Sequence, residues 1–210
     1  MKRLAPSPHR PIGLFGGTFN PIHIGHIKMA EAARKEYKLH RVYFIPCGVP
    51  PHKSKKDLLS AKIRYELVKK AIKGKKYFKV LDVEIKKRKP CYTIDTIRRL
   101  APSPHRRLFF LIGQDEFEKL HTWNKPGELA KLVTFLVLPR RKRNGVTARF
   151  AREARRANRP APTRVERGER VGVKLPKVKN LKWHMVHTKP VDVSASKIRN
   201  MIVAKCRFGF

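Results

Sequence analysis

Residues 12–26 have the sequence IGLFGGTFNPIHIGH, and this stretch decides the fold class. Its apolar start, residues 12–15, predicts a buried strand that closes in the glycine turn Gly16-Gly17. From Ile24 to Tyr37 apolar residues recur at spacings of three and four, which predicts a helix. The stretch is therefore a strand, a glycine turn and the start of a helix in direct succession.

The alternation of strand and helix continues along the chain. We predict further strands at 42–46, 78–83, 108–112, 133–138 and 183–186, and further helices at 61–72, 93–100 and 194–203. The predicted buried face of the helix at 61–72 contains Ile63, Leu67, Val68 and Ala71. Several strands are uniformly apolar, as expected when both faces of a sheet are covered. The pattern predicts a parallel sheet with helices on each side, in which ligands bind at the carboxyl ends of the strands.

The size and the cysteines of the chain set broad limits. Its 210 residues are enough for one domain with a substantial core. No apolar run approaches the roughly 18 residues that a membrane-spanning helix needs. Cys47, Cys91 and Cys206 are far apart and form no CxxC pair, so we expect free thiols in a reducing cytoplasm. A zinc site would need a cluster of ligands that the sequence does not display.

The charge of the chain is strongly positive. Lysine and arginine number 51 against 15 aspartates and glutamates, which gives a formal net charge of +36. Such a field attracts polyanions, among them nucleotides, polyphosphate, RNA and DNA, and charge alone does not choose between them. Residues 140–172 are rich in arginine, and two interpretations stay open: a solvated basic loop or helix, or an arm that binds polyanions.

The glycine turn and the two histidines that follow it carry the chemistry. A glycine pair after the first strand lets backbone amides approach a phosphate closely. His23 and His26 lie three apart at the start of the next helix, so both can point towards that phosphate. The helix N-terminus adds partial positive charge at the same place.

The string GGTFNPIHIGH resembles the signature of the HxGH nucleotidyltransferase superfamily. The rest of the chain is similar to one branch, the bacterial nicotinate-nucleotide adenylyltransferases. The supporting segments occur in that family's order and span about residues 12–202: VPPHK at 49–53, CYTIDT at 91–96, IGQD at 112–115, TW at 122–123, LPR at 138–140 and SASKIR at 194–199. The resemblance implies a Rossmann-like, doubly wound, mainly parallel α/β sheet in a single domain.

The reaction that the resemblance implies joins ATP and nicotinate mononucleotide to give deamido-NAD and pyrophosphate. The acceptor's 5′-phosphate attacks the α-phosphorus of ATP, and no general base is required because a phosphate monoester is already anionic near neutral pH. Mg²⁺ is expected to bridge the ATP phosphates, mostly through water and the substrate itself.

The resemblance also assigns roles to residues on the ATP side. His23, His26 and Arg199 are the implied catalytic residues, with His26 stabilising charge on the α-phosphate. The implied ATP-binding residues are Gly16, Gly17, Thr18, Lys53, Gly113, Asp115 and Ser196. Ser196 and Arg199 would hold the β- and γ-phosphates at the start of the last helix, and Asp115 would meet the ribose hydroxyls.

The acceptor side rests on three residues, each with a plainer alternative. Trp123 would stack on the nicotinate ring, but a core or lid aromatic would look the same in sequence. Thr93 would bond near the nicotinate carboxylate, or it is only a helix cap. Arg140 would hold the acceptor phosphate, or it is one more member of the basic run.

Two other functions and several boundaries stay open. The same chemistry could use nicotinamide mononucleotide or another phosphorylated acceptor. An alternative of a different class is a basic nucleic-acid-binding protein that keeps the fold.

We predict a basic N-terminal extension at 1–11, the nucleotidyltransferase domain at 12–203 and a short tail at 204–210. Homo-oligomerisation and weak non-specific polyanion binding are further expectations. The tail does not resemble the family's usual ending, and two consequences stay open: an apolar surface left uncovered, or weaker dimer contacts. The octapeptide RLAPSPHR occurs at 3–10 and again at 99–106, and we assign it no function.

Overall fold

The computed structural model describes residues 10–50, 58–87, 89–100, 108–139 and 173–187. The strands in these residues are β1 (Ile12–Gly17), β2 (Arg41–Pro46), β3 (Phe78–Val80), β4 (Leu108–Gly113), β5 (Thr134–Leu138) and β6 (Trp183–Met185). The helices are α1 (Ile24–Glu36), α2 (Ala61–Ala71), α3 (Thr93–Leu100), α4 (Gln114–Glu118) and α5 (Pro126–Leu132), with a 3₁₀ turn at Leu120–Thr122. The helix predicted at 194–203 lies outside the described residues.

The strands form one parallel sheet in the order β3-β2-β1-β4-β5-β6. The predicted parallel, doubly wound α/β fold is therefore confirmed. Strand order reverses between β1 and β4, which are hydrogen-bonded neighbours although most of the first half of the chain lies between them. In sheets of this kind ligands bind in the crevice outside the carboxyl ends of the strands at the reversal. The ends of β1 and β4 are thus the place where a site is expected.

Both faces of the sheet are covered, because consecutive strand residues point to opposite sides. Leu14 belongs to a buried cluster that includes residues of α3 and α5, whereas its neighbour Phe15 belongs to a second cluster with residues of α1. The same alternation separates Phe110 from Leu111 in β4. Two apolar cores therefore hold the sheet between layers of helices, and the edge with the strand ends remains for the loops.

Several details differ from the sequence expectations. The strand predicted at 78–83 ends at Val80, because the chain turns at Glu84 and buries that carboxylate. Helices α4 and α5 were not predicted, since segments of five and seven residues are too short to display a helical period. Thr93 is the first helical residue of α3 and not the cap before it, because the Thr96 N–H donates to the carbonyl oxygen of Tyr92.

The predicted buried face of α2 is wrong at one position. Ile63 is 50% exposed, and the neighbouring Arg64 is fully buried in its place. The reason is that the guanidinium of Arg64 finds three carbonyl acceptors inside the protein, which an isoleucine side chain has no means to use.

Candidate active site

The structure brings His23 and His26 together at the start of α1. His23 has an extended backbone and precedes the first helical residue, Ile24. Its N–H donates to Nδ1 of His26 over 3.2 Å, and the two ring centroids are 3.8 Å apart. The first turn of α1, all of which the structure describes, contains no acidic residue. Two imidazoles and a helix N-terminus thus lie beside the glycine turn in a form that suits an anion.

The contact between His23 and His26 also determines which nitrogen of His26 carries the proton. Because Nδ1 accepts the backbone N–H, the proton of the neutral ring lies on Nε2. Nε2 is then a hydrogen-bond donor held by a backbone contact. This arrangement favours donation to a phosphate oxygen over acceptance of a proton from a substrate.

The rings of Phe15 and Phe19 pack against the imidazole of His26. Phe19 is buried with φ 45°, and its ring is edge-on to His26 at 5.2 Å between centroids. Phe15 packs against Phe19 in the same way at 5.4 Å. A Cβ at Gly17 would lie only 3.2 Å from the Phe19 ring. The turn therefore requires a very small residue at 17, and the packed rings fix the plane of His26.

Arg64 holds the loops around the glycine turn, and sequence reasoning missed it. Its Nε donates to the carbonyl oxygen of Leu59 at 2.9 Å, one terminal nitrogen donates to Thr18 at 2.7 Å, and the other donates to Gly48 at 2.9 Å. Burial lowers the pKa of Arg64 from its ordinary value. The only sequence signal was one basic residue within an otherwise typical helical pattern, which normally indicates a solvent-facing position.

The carboxyl end of β4 faces the glycine turn across the strand reversal. Gly113 is the last residue of β4, and a Cβ added there would meet no atom of the described residues within 4 Å. Asp115 follows on the exposed side of the first turn of α4. By contrast, a Cβ at Gly16 would lie 2.9 Å from the ring of Phe110. The predicted nucleotide-binding residues of β1 and β4 therefore flank one crevice, with open space above Gly113.

Two of the predicted acceptor residues, Trp123 and Thr93, lie on the α3 and α5 side of the sheet. Trp123 is half-buried, and its ring stands perpendicular to that of Phe110 with 6.1 Å between centroids. Because Phe110 also contacts the position of Gly16, one ring separates Trp123 from the glycine turn. Thr93 is half-buried at the start of α3. Sequence reasoning missed Phe110, which looked like an ordinary strand residue.

Four predicted site residues lie outside the described residues, and their roles remain predictions: Lys53, Arg140, Ser196 and Arg199. The arginine-rich segment 140–172 lies outside them as well.

The fold adds a contact between two of the cysteines that their spacing in the sequence does not reveal. The sequence displays no cluster of metal ligands, yet the fold brings Cys47, Cys91 and the carboxylate of Glu84 together. Both cysteines are free thiols in the structure. The cluster escaped the sequence reasoning because its members come from three separate loops.

Comparison with known proteins places this geometry in a family. Residues 14–201 match the cytidylyltransferase-like family, and the chain belongs to that family of nucleotidyltransferases. Within it, the chain is 45% identical over 130 residues to the probable nicotinate-nucleotide adenylyltransferase of Shouchella clausii, covering 61% of this chain and 68% of that protein. The corresponding protein of Desulfatibacillum aliphaticivorans is 41% identical over 129 residues, covering 61% of this chain and 59% of that protein. The resemblance inferred from the motifs is thus confirmed, and the chain matches about three fifths to two thirds of the length of these curated relatives.

Solved structures support the fold. The Plasmodium falciparum nicotinic acid mononucleotide adenylyltransferase complexed with NaAD has a TM-score of 0.61 at 18% identity, covering 91% of this chain and 83% of that one. The same enzyme complexed with APC has a TM-score of 0.59 at 16% identity, with the same coverage. At these identities the likeness concerns the fold alone. In the part of the chain that the structure describes, none of the helices is long and apolar enough to cross a membrane.

Proposed function

We propose that the protein transfers the adenylyl group of ATP to nicotinate mononucleotide, giving deamido-NAD and pyrophosphate in NAD biosynthesis. The observation that carries the proposal is the His23–His26 pair at the start of α1, beside Gly16-Gly17 at the strand reversal. The names of the curated relatives support the choice of substrates.

The chemistry needs positioning and charge stabilisation more than proton transfer. An oxygen of the acceptor's 5′-phosphate forms a bond to the α-phosphorus of ATP. The bond from that phosphorus to its bridging oxygen breaks, and pyrophosphate leaves with the electron pair. Nε2–H of His26 donates to a non-bridging oxygen of the α-phosphate as negative charge shifts there. His23 and the amides of Gly16, Gly17 and Thr18 hold the neighbouring phosphates.

The remaining phosphate contacts are proposed on the resemblance. Ser196 and Arg199 hold the β- and γ-phosphates, and Lys53 supplies a further cation. Gly113 and Asp115 meet the adenosine, for which the open space above Gly113 leaves room.

Mg²⁺ belongs to the proposed reaction as a partner of ATP. Of the residues that the structure describes around the crevice, Asp115 is a carboxylate, whereas the glycine turn and the start of α1 offer imidazoles and backbone amides. A bound Mg²⁺ would be held mainly through ATP phosphates and water, and it would neutralise charge on those phosphates.

The acceptor is bound on the α3 and α5 side. Trp123 stacks on the nicotinate ring, Thr93 bonds near its carboxylate, and Arg140 holds the acceptor phosphate. The half-buried position of Trp123 and the perpendicular contact of its ring with Phe110 support this assignment, because they hold the indole beside the glycine turn.

Pyrophosphate release from ATP tests the proposal with a panel of acceptors: nicotinate mononucleotide, nicotinamide mononucleotide, phosphopantetheine and cytidylyl substrates. We expect the highest kcat/KM with nicotinate mononucleotide. A higher value with nicotinamide mononucleotide would overturn the choice of acceptor, and no release with any of them would overturn the proposed activity.

The charge of +36 supports a weak secondary property, binding of polyanions without sequence preference. Titration with a fluorescent RNA should give an affinity that falls steeply as salt is raised. Tight RNA binding that persists at about 0.5 M salt would contradict a purely electrostatic interaction and would favour the nucleic-acid-binding alternative. We also expect the protein to be located in the cytoplasm, to form homo-oligomers and to have a nucleotidyltransferase domain at residues 12–203.

A further inference from the structure

A second cluster of reactive side chains lies beside the phosphate-binding turn and takes no part in the proposed reaction. Sγ of Cys47, Sγ of Cys91 and a carboxylate oxygen of Glu84 all lie within 4.8 Å of one another. Cys91 and Glu84 are buried, and Cys47 is half-buried. Two sulfurs and a carboxylate oxygen at this separation are a ligand set that soft divalent cations bind well.

Backbone contacts hold the three segments that bring the cluster together. The Cys47 N–H donates to the carbonyl oxygen of Gly17 at 2.9 Å, immediately after β2. The Cys91 N–H donates to the carbonyl oxygen of Val49 at 3.1 Å, shortly before α3. A Cβ at Gly48 would lie 2.1 Å from the carbonyl oxygen of Glu84, so the loops touch at this point. The ligand atoms are therefore held in place by the fold and do not depend on long, mobile side chains.

We propose that Cys47, Cys91 and Glu84 form a binding site for a thiophilic divalent cation such as Zn²⁺. Zinc lies at about 2.3 Å from thiolate sulfur and at about 2.0–2.2 Å from a carboxylate oxygen. Ligands at tetrahedral angles are then about 3.5–3.8 Å apart. The three ligand atoms lie within 4.8 Å of one another, so each atom has to move by about 1 Å or less to reach these distances.

The surroundings of the cluster suit such an ion. The hydroxyl of Thr96 donates to Oε1 of Glu84 at 2.6 Å, which orients the carboxylate and leaves its second oxygen for the metal. Arg64 donates to the carbonyl oxygen of Gly48, the residue that follows Cys47. The guanidinium of Arg64 therefore lies close to the cluster. Two thiolates and a carboxylate carry three negative charges, and a divalent ion together with Arg64 balances them. Hard cations such as Mg²⁺ are disfavoured by the sulfur ligands.

Zinc is bound by thiolates, so its binding at this cluster releases the thiol protons of the two cysteines.

A bound ion would cross-link two loops of the site. Cys47 lies in the loop that contacts Gly17, and Cys91 lies two residues before Thr93, the first residue of α3. The ion would stabilise the arrangement of the phosphate and acceptor sides without taking part in the chemistry.

The test uses the full chain without an affinity tag, kept reduced throughout. After chelator treatment, elemental analysis of the protein re-equilibrated with Zn²⁺ should give about one zinc per chain, and the thermal transition should move upwards. Because the chain has nine histidines, weak surface binding must be distinguished. Co²⁺ in place of Zn²⁺ should therefore produce a thiolate-to-metal charge-transfer band, which histidine sites lack.

Variants locate the ion. Cys47→Ala and Cys91→Ser should abolish the band and the stoichiometric zinc, Glu84→Gln should weaken both, and Cys206→Ala should leave both unchanged as the matched thiol control. The proposal is overturned if reduced wild-type protein retains no zinc, if its cobalt complex lacks the thiolate band, or if the Cys47 and Cys91 variants bind like wild type. Since the first two measurements use only wild-type protein, they decide the question even where a variant fails to fold.

Discussion

The phosphate side of the crevice (residues 16–26 with Arg64) and its acceptor side (Thr93 and Trp123) are built in different ways. On the phosphate side backbone carbonyls and amides fix the geometry, through three bonds to Arg64 and the His23–His26 contact. On the acceptor side a half-buried indole follows a 3₁₀ turn, and a threonine opens a short helix. In the proposed reaction, phosphate transfer would then depend on the rigid half, and acceptor choice on a few side chains on short elements.

The largest effect is expected from His26→Ala on the rigid half. It removes the Nε2–H donor to the α-phosphate, so kcat should fall by about 10²–10³-fold in a pyrophosphate-release assay. His187→Ala is a matched control, because that imidazole is exposed and pairs with Glu36 at the opposite end of α1. RNA binding should be the same in both variants. An equal loss of kcat in the control would remove the special role of His26.

The next effect concerns stability. Arg64→Leu leaves one buried and two partly buried carbonyl oxygens without their donors and should lower the free energy of unfolding by about 2–4 kcal/mol. Lys69→Met, on the exposed side of the same helix, should cost less than about 0.5 kcal/mol, because its ion pair with Glu66 is solvent-exposed. Urea unfolding measures both. Similar losses in the two variants would show that Arg64 does not hold the loops.

On the acceptor side, Trp123→Ala should raise the KM for nicotinate mononucleotide by about tenfold with little change in the KM for ATP. The reason is the loss of a stacking face, which contributes about 1–3 kcal/mol in comparable contacts. Trp123→Phe should recover part of the effect. If both variants raise the KM for ATP instead, Trp123 belongs to the phosphate side.

The smallest effects are expected from alanine substitutions of Gly113 and Gly16, which should differ in stability and in the KM for ATP. Gly113→Ala adds a methyl group that meets no atom in the part of the chain that the structure describes, so stability should stay unchanged while the KM for ATP rises a few-fold. Gly16→Ala pushes against Phe110 and should lower the free energy of unfolding by about 1–3 kcal/mol. Thermal unfolding and ATP titration of both variants test the pair. A destabilised Gly113→Ala protein with an unchanged KM would remove Gly113 from the adenosine site.

The sequence predicted well where the signal is local. Apolar runs identified the strands, and the glycine turn with its two histidines identified the edge of the sheet where the site lies. Contacts between loops were not predictable, because neither the burial of Arg64 nor the pairing of Glu84 with Thr96 leaves a periodic trace. The contact between Cys47 and Cys91 was likewise not predictable, because only the fold brings their two loops together.

Phe110 has a consequence for any attempt to redesign the substrate preference. Its ring fills the space next to Gly16 and is also the surface against which Trp123 stands. Positions 16, 110 and 123 are therefore sterically coupled, and a larger residue at 16 requires Phe110 to shift or to be replaced by a smaller side chain. That exchange would remove the support of the indole. Libraries aimed at new acceptors should vary position 123 alone, or all three positions together, but not position 16 or 110 singly.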